Sequence, residues 1–176
     1  MSDLEEILEI VDKDNNVIGK ALRLECYKKG LLHRAVNVFV FNSKGEVFLQ
    51  KRSEKKFGFP LFWDLSCSEH VKPGETFQQA AKRGLKEELG IEAEVIEILP
   101  VHRINNRDES KRYLDAELMV TFKAIFDGKM KFDPSEVAEG RFFNVSDFPQ
   151  PLTPWFLEDW KLLRKQAFLV DYFIIK

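Results

Sequence analysis

Apolar and polar side chains alternate in several short runs along the chain. In "EILEIVDKDNNVIGKALRL" two such runs flank "DKDNN", whose Asp and Asn residues tolerate tight turn geometry, so strands are expected over about residues 5–25. In "RAVNVFVFNSKGEVFLQKR", Val36, Val38 and Val40 alternate before "NSKGE" and Val47 and Leu49 follow it, a second hairpin. Alternation returns in "IEAEVIEIL", "RYLDAELMVTFKAIF" and "GRFFNV". Elsewhere the period lengthens. Phe77, Ala81, Leu85 and Leu89 recur at four-residue steps, Thr76 and Gln79 form a capping box, and Gly90 is a natural stop, which predicts a helix over 77–89. Thr153 and Pro154 open a second helix, expected over about 154–167, with Glu158 and Asp159 early and Lys161, Arg164 and Lys165 late. The order predicts a single α/β domain over 1–176, a mixed β-sheet with helices packed on its faces.

Composition narrows the partners. A chain of 176 residues supports one good hydrophobic core. Net charge −2 gives no bulk attraction to nucleic acid or to an anionic membrane, so neither is an expected partner. No apolar run approaches the ~20 residues that span a bilayer. "MSDLEEILEI" lacks the basic-then-apolar order of a signal peptide, and Cys26 and Cys67 make no disulfide scaffold or metal-finger spacing. A reduced, cytoplasmic protein is expected. Trp160 and the apolar tail "FLVDYFIIK" read as packing or as the contact of a homodimer.

The helix over 77–89 carries an acidic side next to its buried stripe. At ~100° per residue, Arg83, Glu87, Gly84 and Glu88 follow one another around the axis. Gathered carboxylates repel, and either solvent or a hard cation can hold them; Mg2+ takes few carboxylates together with phosphate oxygens.

The whole stretch "EHVKPGETFQQAAKRGLKEELGI" resembles the Nudix box: Gly, five residues, Glu, seven residues, then Arg-Glu-hydrophobic-any-Glu-Glu-any-Gly-hydrophobic. Glu75, Arg83, Leu85, Glu87, Glu88, Gly90 and Ile91 match at the required spacing. The resemblance implies a Nudix-type α/β/α sandwich and a Mg2+ or Mn2+ cofactor held by helix glutamates, with Glu88 the retained ligand and Glu87 beside it. It implies that Arg83 braces the loop and Glu75. Two positions depart: Glu69 stands where the first Gly belongs, and Gly84 where the first helix Glu belongs. Either a ligand is lost, or the changes are linked and Glu69 aims its carboxylate into the space above Gly84.

Beyond the box, "LLHRAVNVFVFNSKGEVFLQKRS", "FWDLSCSEHVKPGE" and "LTPWF" resemble the superfamily branch that contains type I isopentenyl-diphosphate isomerase. That resemblance implies a second metal site, with His33, His70, Asp115 and Glu117 at matching positions and Cys26 near the place of a third histidine. Trp155 matches a tryptophan that covers the active site. The isomerase's cysteine falls at Ser68, one residue after Cys67, and adjacent side chains of an extended segment face opposite ways. The isomerase-like hydrolases, which share "LLHRA", "QKRS" and "WDLS-x-x-x-H" without the cysteine, are therefore the better match. Without a family, His33 and His70 would be ordinary backbone-bonded polar residues, Asp115 and Glu117 would decorate a solvent face, Cys67 would be a buried filler, and His102 is structural.

A diphosphate needs its charge neutralised before a nucleophile approaches. "QKRSEKK" offers cations, and the resemblance assigns this stretch to the diphosphate, with Arg52 and Lys55 chosen. The proton of the attacking water has three candidate acceptors, Glu136 and Glu139 in "DPSEVAEGRFF" and Glu87 of the box. The expected activity is Mg2+-dependent hydrolysis of a small diphosphate, a nucleoside diphosphate linked to another moiety. The alternatives are isopentenyl-diphosphate isomerisation and diphosphate binding without turnover.

Overall fold

The structure, a computed structural model, describes residues 3–56, 58–108, 113–132 and 134–165. A 3-10 turn at Asp3–Glu5 leads into the hairpin of β1 (Ile7–Val11) and β2 (Val17–Leu22). Asp12 Oδ1 accepts the backbone N–H groups of Asp14 and Asn16, and Asn15 takes a φ of 67°, the turn chemistry expected of "DKDNN". After Leu22 the strand stops. Arg23–Lys29 is helix α1, closed by Gly30 at φ 64°, where strand had been expected up to residue 25. Seven residues without a side-chain N-cap show too little periodicity for sequence inspection to find, and Gly30 alone marks the end.

The centre of the sheet is β3 (His33–Phe41). It runs antiparallel to β4 (Val47–Arg52) and, nearer its start, to β6 (Cys67–His70), and parallel to β8 (Tyr113–Ile125). On the outside, β7 (Ile96–Asp108) pairs with β8, while β5 (Trp63–Asp64) and β9 (Val137–Phe143) pair with β4. The sheet is mixed, as expected. Because β3 is covered on both faces, its alternating residues are buried whichever way they point.

Each face has its helix. Helix α2 (Phe77–Leu89) seats Ala81, Leu85 and Leu89 on Val36, Val38, Val40 and Phe122, each full leucine burial stabilising by about 1.5–3 kcal/mol. Its capping box forms, with Gln79 N–H donating to Thr76 Oγ1 at 3.2 Å and Thr76 N–H to Gln79 Oε1 at 2.9 Å. Phe77, counted in the buried stripe from sequence, is only partly covered. On the other face α3 (Pro154–Lys165) presents Trp155, Phe156 and Leu163 to Ala35, Phe39, Leu49 and Met119. The layers are α/β/α.

A buried polar link ties α3 to the sheet. Fully buried Asp159 accepts from Asn37 Nδ2 (2.9 Å), Thr121 Oγ1 (2.6 Å) and His102 Nε2 (2.8 Å). His102 is thus structural, as expected. Trp160 packs against Phe39, Phe148 and Phe156 within the chain. The apolar tail, and with it the expected homodimer contact, lies outside the described residues.

Candidate active site

Sheet register gathers one cluster. Parallel pairing of β3 and β8 sets Glu117 opposite His33, and β6 brings His70 opposite Ala35. The two-residue period of a strand keeps Asp115 on the face of Glu117. All four are buried: His33 at 0% exposure, Asp115 at 6%, Glu117 and His70 at 7%. Asp115 and Glu117 do not face solvent, the alternative to a ligand role, because neighbouring α1 packs on β8 at this end.

The proton positions follow from the partners. Nδ1 of His33 lies 2.8 Å from Leu31 O, a carbonyl that can only accept, so Nδ1 carries the proton and Nε2 faces the carboxylates. Nε2 stands 3.4 Å from Asp115 Oδ1 and 3.8 Å from Glu117 Oε1. His70 repeats the arrangement: Nδ1–H donates to Glu6 Oε2 at 3.1 Å, and Nε2 lies 3.7 Å from Glu117 Oε1. Burial first, then Arg23, holds the His70 imidazole well below its ordinary pKa. Burial first, then Asp115, pushes the Glu117 carboxyl well up. Among the described residues, His33 Nε2 and Asp115 Oδ1 have no hydrogen-bond partner. A buried imidazole nitrogen and a buried carboxylate oxygen left without hydrogen-bond partners form a place suited to holding a cation. His33, His70 and Glu117 fit one, since a ligand atom from each lies within 4.8 Å of the others. Two imidazoles and carboxylates suit a transition ion such as Mn2+ or Zn2+ better than Mg2+. Cys26 is buried in α1 and is not part of the wall, its thiol pushed up to about 11 by burial and then by Asp115. The next residue, Tyr27, takes that place, its hydroxyl 3.5 Å from His70 Nε2.

Tyr27, His70, Asp115 and Glu117 line one side of a cavity of about 530 Å³, with His33 fully buried against the acids, and the other side is the box. Glu88 is held by Gln50 Nε2 (2.5 Å to Oε2), and by Cys67 Sγ and Ser68 N–H (each 3.3 Å to Oε1). Its carboxyl is pushed up to about 8, by burial and then by the charge of Glu69. Arg83 binds Glu75 through Nε and Nη2 (2.9 and 3.1 Å), the bracing role expected of it, and donates to His70 O at 2.7 Å. Its Nη1 reaches Glu69 and Glu87, each at 2.9 Å. Glu87 lines the cavity mouth half-exposed, with Lys72 as its second partner at 3.5 Å. On β6, Ser68 and not Cys67 faces the cavity. Cys67 is more than filler, however, because its thiol touches Glu88.

The third wall is cationic. Arg52 donates to Asp64 Oδ2 (2.9 Å) and Gly58 O (3.0 Å), and its guanidinium lies 5.2 Å from the Trp155 ring centroid. Trp155 Nε1–H donates to Asp64 Oδ1 at 2.6 Å, and Thr153 Oγ1 to the same oxygen at 2.9 Å. Lys56 and Glu136 form an ion pair on the cavity wall. Lys55, chosen from sequence, is exposed and outside the wall; the 53–56 turn, closed by Lys56 N–H to Ser53 O, turns the neighbouring lysine inward. Glu139 is also outside: on β9 it pairs with Lys51 and sits half-exposed beside Arg141. Glu6, Arg23, Tyr27, Gln50, Asp64 and Tyr113 complete the site, and single-sequence patterning had no signal for them. Three of them come from the segment before β3, Arg23 and Tyr27 together from α1.

Comparison with known proteins matches a NUDIX domain family model to residues 31–166. The chain is similar to isopentenyl-diphosphate Delta-isomerase 2 of Photorhabdus laumondii, 30% identical over 91% of this chain and 99% of that one. It is similar to the isopentenyl-diphosphate Delta-isomerase of Burkholderia multivorans, 34% identical over 87% and 90%. Among solved structures, DR0079 from Deinococcus radiodurans aligns with a TM-score of 0.65 at 24% identity, over 91% of this chain and 98% of that one. The dihydroneopterin triphosphate pyrophosphohydrolase of E. coli aligns with a TM-score of 0.59 at 19% identity, over 80% and 94%; these two likenesses speak to the fold.

Proposed function

This chain belongs to the NUDIX domain family, and from that premise we propose that it is a divalent-metal-dependent hydrolase of a small diphosphate, a nucleoside diphosphate linked to another moiety. The observation that carries this is the pairing, in one cavity, of the buried groups His70, Asp115 and Glu117, with fully buried His33 3.4 Å from Asp115, and the cations Arg52 and Lys56. One side can take a metal ion, the other phosphate oxygens.

A divalent ion bound there would supply charge neutralisation and Lewis acidity at phosphorus. His33, His70, Asp115 and Glu117 would hold the transition ion, and Glu88 the ion that meets the phosphates. Arg52, fixed by Asp64 and stacked on Trp155, donates to a diphosphate oxygen while Lys56 adds a point charge. Drawing Lys56 toward phosphate frees Glu136, which accepts the proton of the attacking water. The water oxygen bonds to phosphorus, the bridging P–O bond breaks, and the leaving phosphate departs with its electron pair. Glu87 is the less available acceptor, because its carboxylate is engaged by both Arg83 and Lys72.

A second reading, isopentenyl-diphosphate isomerisation, is favoured by the names of relatives about a third identical over most of the chain. Against it, the position where the resemblance expects the cysteine is Ser68, and Cys67 points under α2 at Glu88. One panel separates them. Purified protein with Mg2+ or Mn2+ is offered nucleoside diphosphates with varied second moieties, dinucleotides, and isopentenyl diphosphate. Released phosphate or nucleotide supports hydrolysis, dimethylallyl diphosphate supports isomerisation, and saturable binding without product overturns both.

A further inference from the structure

Gly84 is a glycine because another element occupies its side-chain space. Its φ is not positive, so the backbone does not require glycine, and glycine inside a helix costs about 1 kcal/mol relative to alanine. A Cβ there would lie 2.6 Å from Cys67 Sγ, 2.7 Å from Glu69 Cγ and 3.3 Å from Glu69 Cβ. Both neighbours come from β6. Strand alternation turns Cys67 and Glu69 toward α2, while Ser68 and His70 face the other way. The Glu69 chain thus crosses directly over Gly84 and ends in the cavity, with Oε2 on Arg83 Nη1 at 2.9 Å. The same cavity holds Asp115, nine-tenths buried, whose Oδ1 has no hydrogen-bond partner among the described residues.

We propose that the acid missing from the helix at Gly84 has been transposed to the strand: Glu69 reaches through the space that Gly84 leaves and joins Glu88 as an oxygen ligand of the divalent ion that meets the diphosphate. This rests on the metal-dependent reading above. Gly84 and Glu69 then form one steric unit. A glutamate restored at 84 collides with the strand, and a glycine at 69 leaves the helix without its acid. Cys67 belongs to the unit as well, since its sulfur fills the remaining volume and donates to Glu88.

The test is Mn2+ binding, followed by titration calorimetry and by electron paramagnetic resonance of the free ion, with thermal melts to verify folding. The binding that Glu88→Gln removes defines the box site. Glu69→Gln keeps an oxygen for Arg83 but not the charge, and it should weaken that same binding by about tenfold or more. In a Cys67→Ala background, Glu69→Gly should lose the binding, and adding Gly84→Glu should restore it to within about threefold of the Cys67→Ala protein. Glu69→Gln binding Mn2+ as tightly as the native protein would overturn the transposition and leave the metal-dependent reading standing. Native protein that binds no ion sensitive to Glu88→Gln would overturn both. Should the multiple variant fail to fold, Glu69→Gln decides alone.

Discussion

The Nδ1–H of His70 donates to Glu6 Oε2 across 3.1 Å, so a residue before the first strand orients a ring on the sixth. Glu6 lies outside the span matched by the family model, which begins at residue 31. A carboxylate behind a histidine fixes its tautomer and strengthens the opposite nitrogen as a donor to metal. Glu6→Ala should therefore weaken Mn2+ or Zn2+ binding at the histidine pair by about tenfold or more, with a melting temperature close to native. Direct titration with each metal checks this. Native affinity in Glu6→Ala would mean that packing alone orients His70.

Lys56 and Lys55 are adjacent but unequal. Lys56 is on the cavity wall, and Lys55 faces solvent. Removing a charge-assisted contact to phosphate costs about 1.5–3 kcal/mol, so Lys56→Ala should weaken pyrophosphate binding in the presence of Mg2+ by about tenfold or more. Lys55→Ala should leave it unchanged. Calorimetric titration with pyrophosphate compares the two, and equal effects would refute the assignment of the wall.

Gly84→Ala sets helix propensity against packing. Propensity alone predicts a gain of about 1 kcal/mol. Contacts of 2.6 and 2.7 Å predict a larger loss, on the order of 1–3 kcal/mol from overpacking, because Glu69 is anchored by Arg83. Urea denaturation should show net destabilisation; a variant more stable than native would mean that β6 yields easily.

His102 makes stability depend on pH. Burial alone would lower its pKa, but the hydrogen bond and charge of Asp159 outweigh this, and the net direction is up from an unfolded value near 6.5. A raised pKa contributes stability that is fully present below about 6.5 and is lost as pH rises through the folded value. The native protein should lose stability over that interval, and His102→Gln should lose less of it. Parallel slopes for the two proteins in denaturation midpoints between about pH 5.5 and 9 would exclude His102 as the source.

Local chemistry was legible in the chain itself. Thr76, Gln79 and Gly90 bound α2 because caps act within a few residues, and the alternation of Val36, Val38 and Val40 marks β3 because a strand's period is two. The same local spacing marks the box and singles out Gly84 and Glu69 as departures. Helix α1 escaped because it is short and has no side-chain N-cap. Lys55 and Glu139 lie in stretches that do reach the site, but the turn at 53–56 and the pleat of β9 turn these two outward.

Only the tertiary structure decided which of these groups meet. Parallel pairing of β3 with β8 places Glu117 against His33, the hairpin before β3 brings in Glu6, and β6 lays Glu69 over Gly84. Burial then changes their chemistry, leaving neutral His70 and crowded carboxylates where water would have screened them. A sequence records the order of residues and the periods of its elements. Register between distant strands and the desolvation it causes depend on the packing of the whole chain, and from these come the buried His33 Nε2 and Asp115 Oδ1 that face one another across 3.4 Å.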